Sequence, residues 1–113
     1  MTTKEQADFS SFLALDIRLG RIVRVEDSQA IKPTYRITAD FGEEIGTKVT
    51  VAAYTHYPKE KLKGLLILGL VNIGVMKMGP EKSEFLCIGV PNENGEAVPL
   101  TSLDDVPLGG AVY

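Results

Sequence analysis

Little in this chain lends itself to reaction chemistry. Its 113 residues include one cysteine, one histidine and no tryptophan. A lone Cys87 excludes an internal disulfide framework, and its place between Leu86 and Ile88 is that of a buried thiol. That usage fits a reducing compartment. His56 has none of the companions a zinc site requires, so no metal or other cofactor is expected. Gly69, Gly74 and Gly79 lack the Lys-Ser/Thr pair that completes a phosphate loop. Ser83 beside Lys82 and Glu84 shows no base oriented on its hydroxyl, and a local loop hydrogen bond is its commoner use. Glu43–Glu44 and Asp104–Asp105 are adjacent acids, the usual mark of surface turns. The apolar stretch from Gly64 to Met76 is too short for a membrane span and contains Asn72. The opening MTTKEQADFSSF has no apolar signal-peptide core. A cytoplasmic protein that neither catalyses nor enters a membrane is expected.

What the chain does contain is an ordinary globular composition, 44% hydrophobic and 24% charged, sized for one domain. A net charge of -3 argues against a broad polyanion binder, but the charges are unevenly spread. Arg18, Arg21, Arg24, Lys32 and Arg36 fall in one early stretch, against only Glu26 and Asp27. From Glu93 onward there are four acids and no lysine or arginine. A basic patch on an acidic body is compatible with both facts.

Two apolar runs, Leu65–Val71 and Phe85–Val90, read as core strands around a polar segment that carries Asn72, Lys77, Lys82, Ser83 and Glu84. A loop mounted between core strands is a rigid place for recognition groups. Upstream, Ile17–Val25 alternates apolar and basic residues, and Gly20 breaks the phase, which predicts a bulge or bend there. Tyr35–Phe41 and Val49–Tyr54 read as two more strands, and Pro58–Lys63 as a helical turn. Asn94-Gly95 marks a hairpin leading into Ala97–Leu100. Thr2 or Thr3 caps a short amino-terminal helix whose Phe9, Phe12 and Leu13 share a face. That face covers either the domain's own core or a partner subunit.

Three strands, a short helix and two strands is the element order of an all-β, five-stranded Greek-key OB barrel. One domain over 1–113 is expected: a helical extension over 1–13, the barrel over 14–92 and a carboxy-terminal extension over 93–113. In such a barrel the strand 2–3 face and the loops after strands 1 and 4 form the ligand surface. Here those parts carry Arg36, Lys32, Lys77 and Lys82, with Arg18, Arg21 and Arg24 adjoining, as cations for a phosphate backbone. The plainer alternative makes each arginine a solvated strand face paired with Asp16, Glu26 or Asp40. Ile73, Met76 and Met78 either form an adaptable apolar surface or plug the barrel mouth.

LDIRLGRIVRVED (Leu15–Asp27), ADFGEEIGTK (Ala39–Lys48), Val71-Asn72 and KMGPEKSE (Lys77–Glu84) together resemble the tRNA-binding domain found free-standing and appended to methionyl- and phenylalanyl-tRNA synthetases. KPTY (Lys32–Tyr35) and the hairpin-plus-proline tail are similar to the CsaA-type branch. The resemblance implies an OB fold, a symmetric homodimer with Phe9 and Phe12 at or near its interface, and noncatalytic binding of tRNA by shape. It also implies, as the alternative, a chaperone-like hold on unfolded or exported polypeptides. The expected RNA contacts are Arg18, Arg21, Lys32, Arg36, Asn72, Lys77, Lys82 and Ser83. For a peptide they are Tyr54, Ile73, Met76, Met78 and Phe85. Met76 and Gly79 stand where synthetase-linked members are often basic, which weakens the phosphate contribution and makes the groove more apolar.

Overall fold

A computed structural model describes residues 2–113. A short helix α1 (Phe9–Leu13) precedes strands β1 (Ile17–Asp27), β2 (Tyr35–Asp40) and β3 (Thr47–Ala52). Helix α2 (Lys59–Leu62) follows, then β4 (Leu66–Leu70), β5 (Met76–Met78), β6 (Glu81–Ser83), β7 (Leu86–Cys87), β8 (Gly89–Pro91) and β9 (Ala97–Pro99). Five of these form one antiparallel sheet in the order β3-β2-β1-β4-β7, curled into a nearly closed OB-type barrel. No helix among the described residues is long and apolar enough to cross a membrane.

β1 organises the barrel because it is long enough to serve two neighbours. Its first half pairs β4, from Ile17↔Leu70 to Arg21↔Leu66, and its second half pairs β2 as far as Asp27↔Tyr35. The bulge lies between Ile22 and Arg24, leaving Val23 as the extra residue, and not at Gly20 as the phase break predicts. Gly20 answers a different need. A Cβ there would lie 2.7 Å from Phe41 Cε1, and one on Gly69 of β4 would lie 2.6 Å from Phe41 Cζ. Two glycines on adjacent strands thus make the hollow that holds the Phe41 ring. Phe41 meets Phe85 edge to face at 5.0 Å, and Ile22, Tyr35, Ile37, Ala39, Tyr54, Leu62 and Ile67 complete the core.

The second apolar run, Phe85–Val90, is not one strand. β7 pairs β4 for two residues, after which the chain leaves to pair β8 with β9 across the Asn94-Gly95 turn. The edge of β3 is instead closed by the segment just before β7. Glu84 N–H donates to the Val49 carbonyl at 2.7 Å, Val49 N–H donates to Glu84 Oε1, and Val51 N–H donates to Ser83 Oγ. Side chains therefore satisfy backbone donors along a seam that a ladder would otherwise fill. The polar segment between the apolar runs, read as a loop, contains the β5–β6 hairpin. The tail is also less of a loop than its prolines and glycines predict. It lies along β1 where β2 stops, bonding through Leu19 N–H to Gly110 O and Val112 N–H to Ile17 O.

Asp8, and not a threonine, caps α1, accepting from Ser10 N–H at 3.2 Å. The helix buries none of its residues. Phe9 stacks on Phe12 at 6.0 Å yet is 68% exposed.

Candidate functional site

The β5–β6 hairpin sits on the strand 4–5 connection and turns at Gly79-Pro80, with Gly79 at φ 63°. Its register is Met76↔Ser83, Lys77↔Lys82 and Met78↔Glu81. Period-2 alternation then sorts its side chains by face. Lys77 and Lys82 are exposed and directly opposite one another, while Glu81 and Ser83 on the other face are buried. Like charges opposed across a ladder are unfavourable, so this pair is not there for the hairpin's stability.

Glu81 locks the hairpin in place. Its carboxylate accepts from Arg36 Nε at 2.9 Å and Arg36 Nη2 at 2.8 Å, and from Gln29 N–H at 2.7 Å. One buried group thereby joins β2, the hairpin and the β1–β2 loop. The Arg36 hydrogen bond, then the Gln29 one, hold the Glu81 carboxyl down at about 2, against the opposing effect of burial. The same bond raises Arg36 above its ordinary value. Glu26 adds a looser contact to Arg36 at 3.7 Å.

Two cavities flank the hairpin turn. A cavity of about 490 Å³ is lined by Arg36, Lys77, Lys82 and Glu81, with Gly79 and Pro80. A second, of about 280 Å³, is lined by Ala30, Ile31, Lys32 and Met78, again with Gly79 and Pro80. The β1–β2 and β4–β7 connections, expected to make the ligand surface, do meet here. Lys32, Arg36, Lys77, Lys82 and Met78 are brought together around one turn.

Arg18 and Arg21 are not. Arg18 Nε bonds Asp16 at 2.6 Å, its Nη1 donates to Gly109 O at 3.0 Å, and Glu44 lies 3.5 Å away. The Asp16 hydrogen bond raises its pKa further above the ordinary arginine value. Arg21 donates to Asp105 and to Gly64 O, each at 2.9 Å. Arg18 fastens the tail to β1, and Arg21 fastens both the tail and the α2–β4 corner. Asn72 is a clasp as well, accepting from Asp16 N–H and donating to Ala14 O, both at 2.9 Å. Ser83 is spent on the β3 seam.

The apolar set also divides. Tyr54 is 3% exposed, its hydroxyl directed at Cys87 Sγ, and burial raises its pKa. Phe85 is 0% exposed against Phe41. Phe85 faces inward where the barrel needs volume, and Tyr54, although it lines two cavities of about 200 and 280 Å³ beside Cys87 and Ala97, exposes almost none of its surface. Cys87 is itself driven up by burial, as an inert thiol should be. Ile73, Met76 and Met78 stay on the surface, between 38% and 45% exposed, though only Met78 lines either cavity at the hairpin turn.

Glu81 and Ile31 are not among the site residues that the sequence predicts. Glu81 had no local signal, since its partners lie 45 and 52 residues away. Ile31 did leave one: an isolated branched apolar residue in a polar, proline-bearing loop. Among the described residues no three His, Cys, Asp or Glu side chains gather as metal ligands.

A family profile described as "Putative tRNA binding domain" matches residues 17–111. The fold superimposes on the chaperone CsaA of Bacillus anthracis with a TM-score of 0.90 at 33% identity, covering 96% of this chain and 100% of that one. The CsaA chaperone protein of Picrophilus torridus gives a TM-score of 0.90 at 32% identity over the same shares. The methionine–tRNA ligase of Archaeoglobus fulgidus is 30% identical over 112 residues, 99% of this chain but 17% of the ligase. The chain thus spans about a sixth of that relative. On these grounds the chain belongs to the tRNA-binding-domain family of OB folds and is a CsaA-type member of it.

Proposed function

We propose that the chain acts as a cytoplasmic homodimer that holds extended apolar stretches of unfolded or export-bound polypeptide, as a chaperone of the CsaA kind. The observation carrying this reading is the cavity lined by Ile31 and Met78, which has no carboxylate on its wall. Methionine and isoleucine side chains there offer an adaptable surface for varied apolar partners, and Ile73 and Met76 are exposed on the same β4–β7 connection. Likeness to two CsaA chaperones over their whole length supports it further. The test is suppression of aggregation of an unfolded client. The unaltered chain should protect the client and Met78→Gln should protect it much less. Equal protection by a folded Met78→Gln protein would remove this reading.

A second reading, tRNA binding by shape and backbone charge, is favoured by the opposed Lys77–Lys82 pair and by the family. Lys32, Lys77 and Lys82 would meet phosphates, with Arg36 behind them. Arg18, Arg21, Asn72 and Ser83 would act by holding the fold. Lys77→Ala with Lys82→Ala should reduce tRNA affinity and lower its salt slope by roughly 1.8.

The open face of α1 is where a second copy would dock through Phe9, 68% exposed, and the partly covered Phe12 stacked on it. Sedimentation over a dilution series should show a dimer that Phe9→Asp weakens. A monomer at all concentrations would exclude it.

A further inference from the structure

We infer that the polypeptide segments this site prefers carry an acidic residue within about three positions of the large apolar one. The inference rests on the peptide reading above and adds the charge signature of the segment.

Its basis is the wall that the two cavities share. Gly79 and Pro80 line both, so the apolar slot lined by Ile31 and Met78 and the cavity holding Lys77 and Lys82 are separated by one hairpin turn. Lys32 stands on the slot's own wall. Glu81 is the sole carboxylate lining either cavity, and its oxygens are committed to Arg36 and the Gln29 N–H. Lys82 touches Glu84 only at 3.8 Å. No carboxylate lies within 4.0 Å of Lys32 or Lys77 among the described residues. A chain of net charge -3 therefore surrounds its apolar slot with uncommitted positive charge.

Charge complementarity then selects the occupant. An extended segment advances roughly 3.3 Å per residue, so a side chain in the slot and another one to three residues along fall on opposite sides of a single turn. A carboxylate at the second place relieves the repulsion between Lys77 and Lys82. A lysine or arginine there meets a cluster of like charge and is disfavoured. The remaining surface, acidic along the tail, opposes acidic segments, which confines the preference to this face.

The experiment uses three fluorescently labelled, unstructured peptides that differ only in the residue two places from a central leucine: Asp, Asn or Lys. Each is titrated into the intact chain at low salt and at 0.5 M salt. The Asp peptide should bind roughly three- to ten-fold more tightly than the Asn peptide at low salt, and the Lys peptide more weakly than either. Screening at high salt and the double change Lys77→Ala, Lys82→Ala should each collapse that ranking, leaving a common residual affinity. Met78→Gln should weaken all three alike. Equal binding of the Asp and Lys peptides, or preference for Lys, overturns the inference while leaving the peptide reading in place. No binding of any peptide overturns both. tRNA titrated in parallel identifies the other occupant. A lysine variant that loses RNA but keeps its Asp ranking assigns the cationic cavity to nucleic acid and overturns the inference.

Discussion

Arg18 and Arg21 near the start of β1, and Lys77 and Lys82 on the β5–β6 hairpin, carry the same charge to opposite ends. The arginines meet Asp16, Glu44 and Asp105 and two backbone carbonyls, so their charge is consumed in holding the tail and the α2–β4 corner. The lysines face each other across a ladder, and the only acid near either among the described residues is Glu84, a loose 3.8 Å from Lys82. Geometry follows chemistry. A planar guanidinium can bond a carboxylate and a carbonyl at once, and suits mortar, whereas a flexible ammonium stays available. A basic residue is therefore informative about ligands only when its structural partners are known.

The contrast can be broken most forcefully at Glu81, the group that holds the lysine-bearing hairpin to the frame. Glu81→Ala leaves the Arg36 guanidinium and the Gln29 N–H without their acceptor and should lower Tm by on the order of 5–10 °C. It should also loosen both cavities at once, which peptide titration would register. If Tm and binding are both unchanged, the clasp is not what positions the hairpin.

Acid gives a graded version of the same test. The folded carboxyl of Glu81 is depressed to about 2 from an ordinary 4.5, so the unfolded state binds the proton more readily. The stability it contributes is fully present above pH 4.5 and is lost as pH falls through about 2. Urea unfolding between pH 5 and pH 2 should show a smaller decline for Glu81→Gln than for the unaltered chain. Parallel declines would mean that other carboxylates dominate the acid limb.

Smaller effects separate the two groups of cations. Arg18→Ala should lower Tm by a few degrees through loss of the Asp16 and Gly109 bonds, with peptide and tRNA affinity unchanged. Lys77→Ala with Lys82→Ala should do the reverse, leaving Tm unchanged or slightly higher while binding falls. A thermal melt and a titration on each variant would settle which region is mortar and which is site.

The barrel was legible from the sequence because its signals are local. Alternation in Tyr35–Phe41, the turn at Asn94-Gly95 and Pro58 before α2 each act over a few residues. The failures came where neighbours in space outrank neighbours in sequence. Gly20 reads as a bulge until Phe41 is seen lying against it. Phe85 and Tyr54 read as candidate groove residues until the interior is found to need them. The segment from Asn72 to Glu84 reads as a loop because a hairpin of three-residue strands leaves too short a pattern to detect.

By itself, then, the sequence determined an OB-type barrel of known family with a polar segment between the two apolar runs, since periodicity and turn chemistry are written within each element. Only the folded chain decided which positive side chains are free. Their acidic partners arrive from 45 residues away for Arg36 and 84 for Arg21, and such pairings exist only once the barrel has closed.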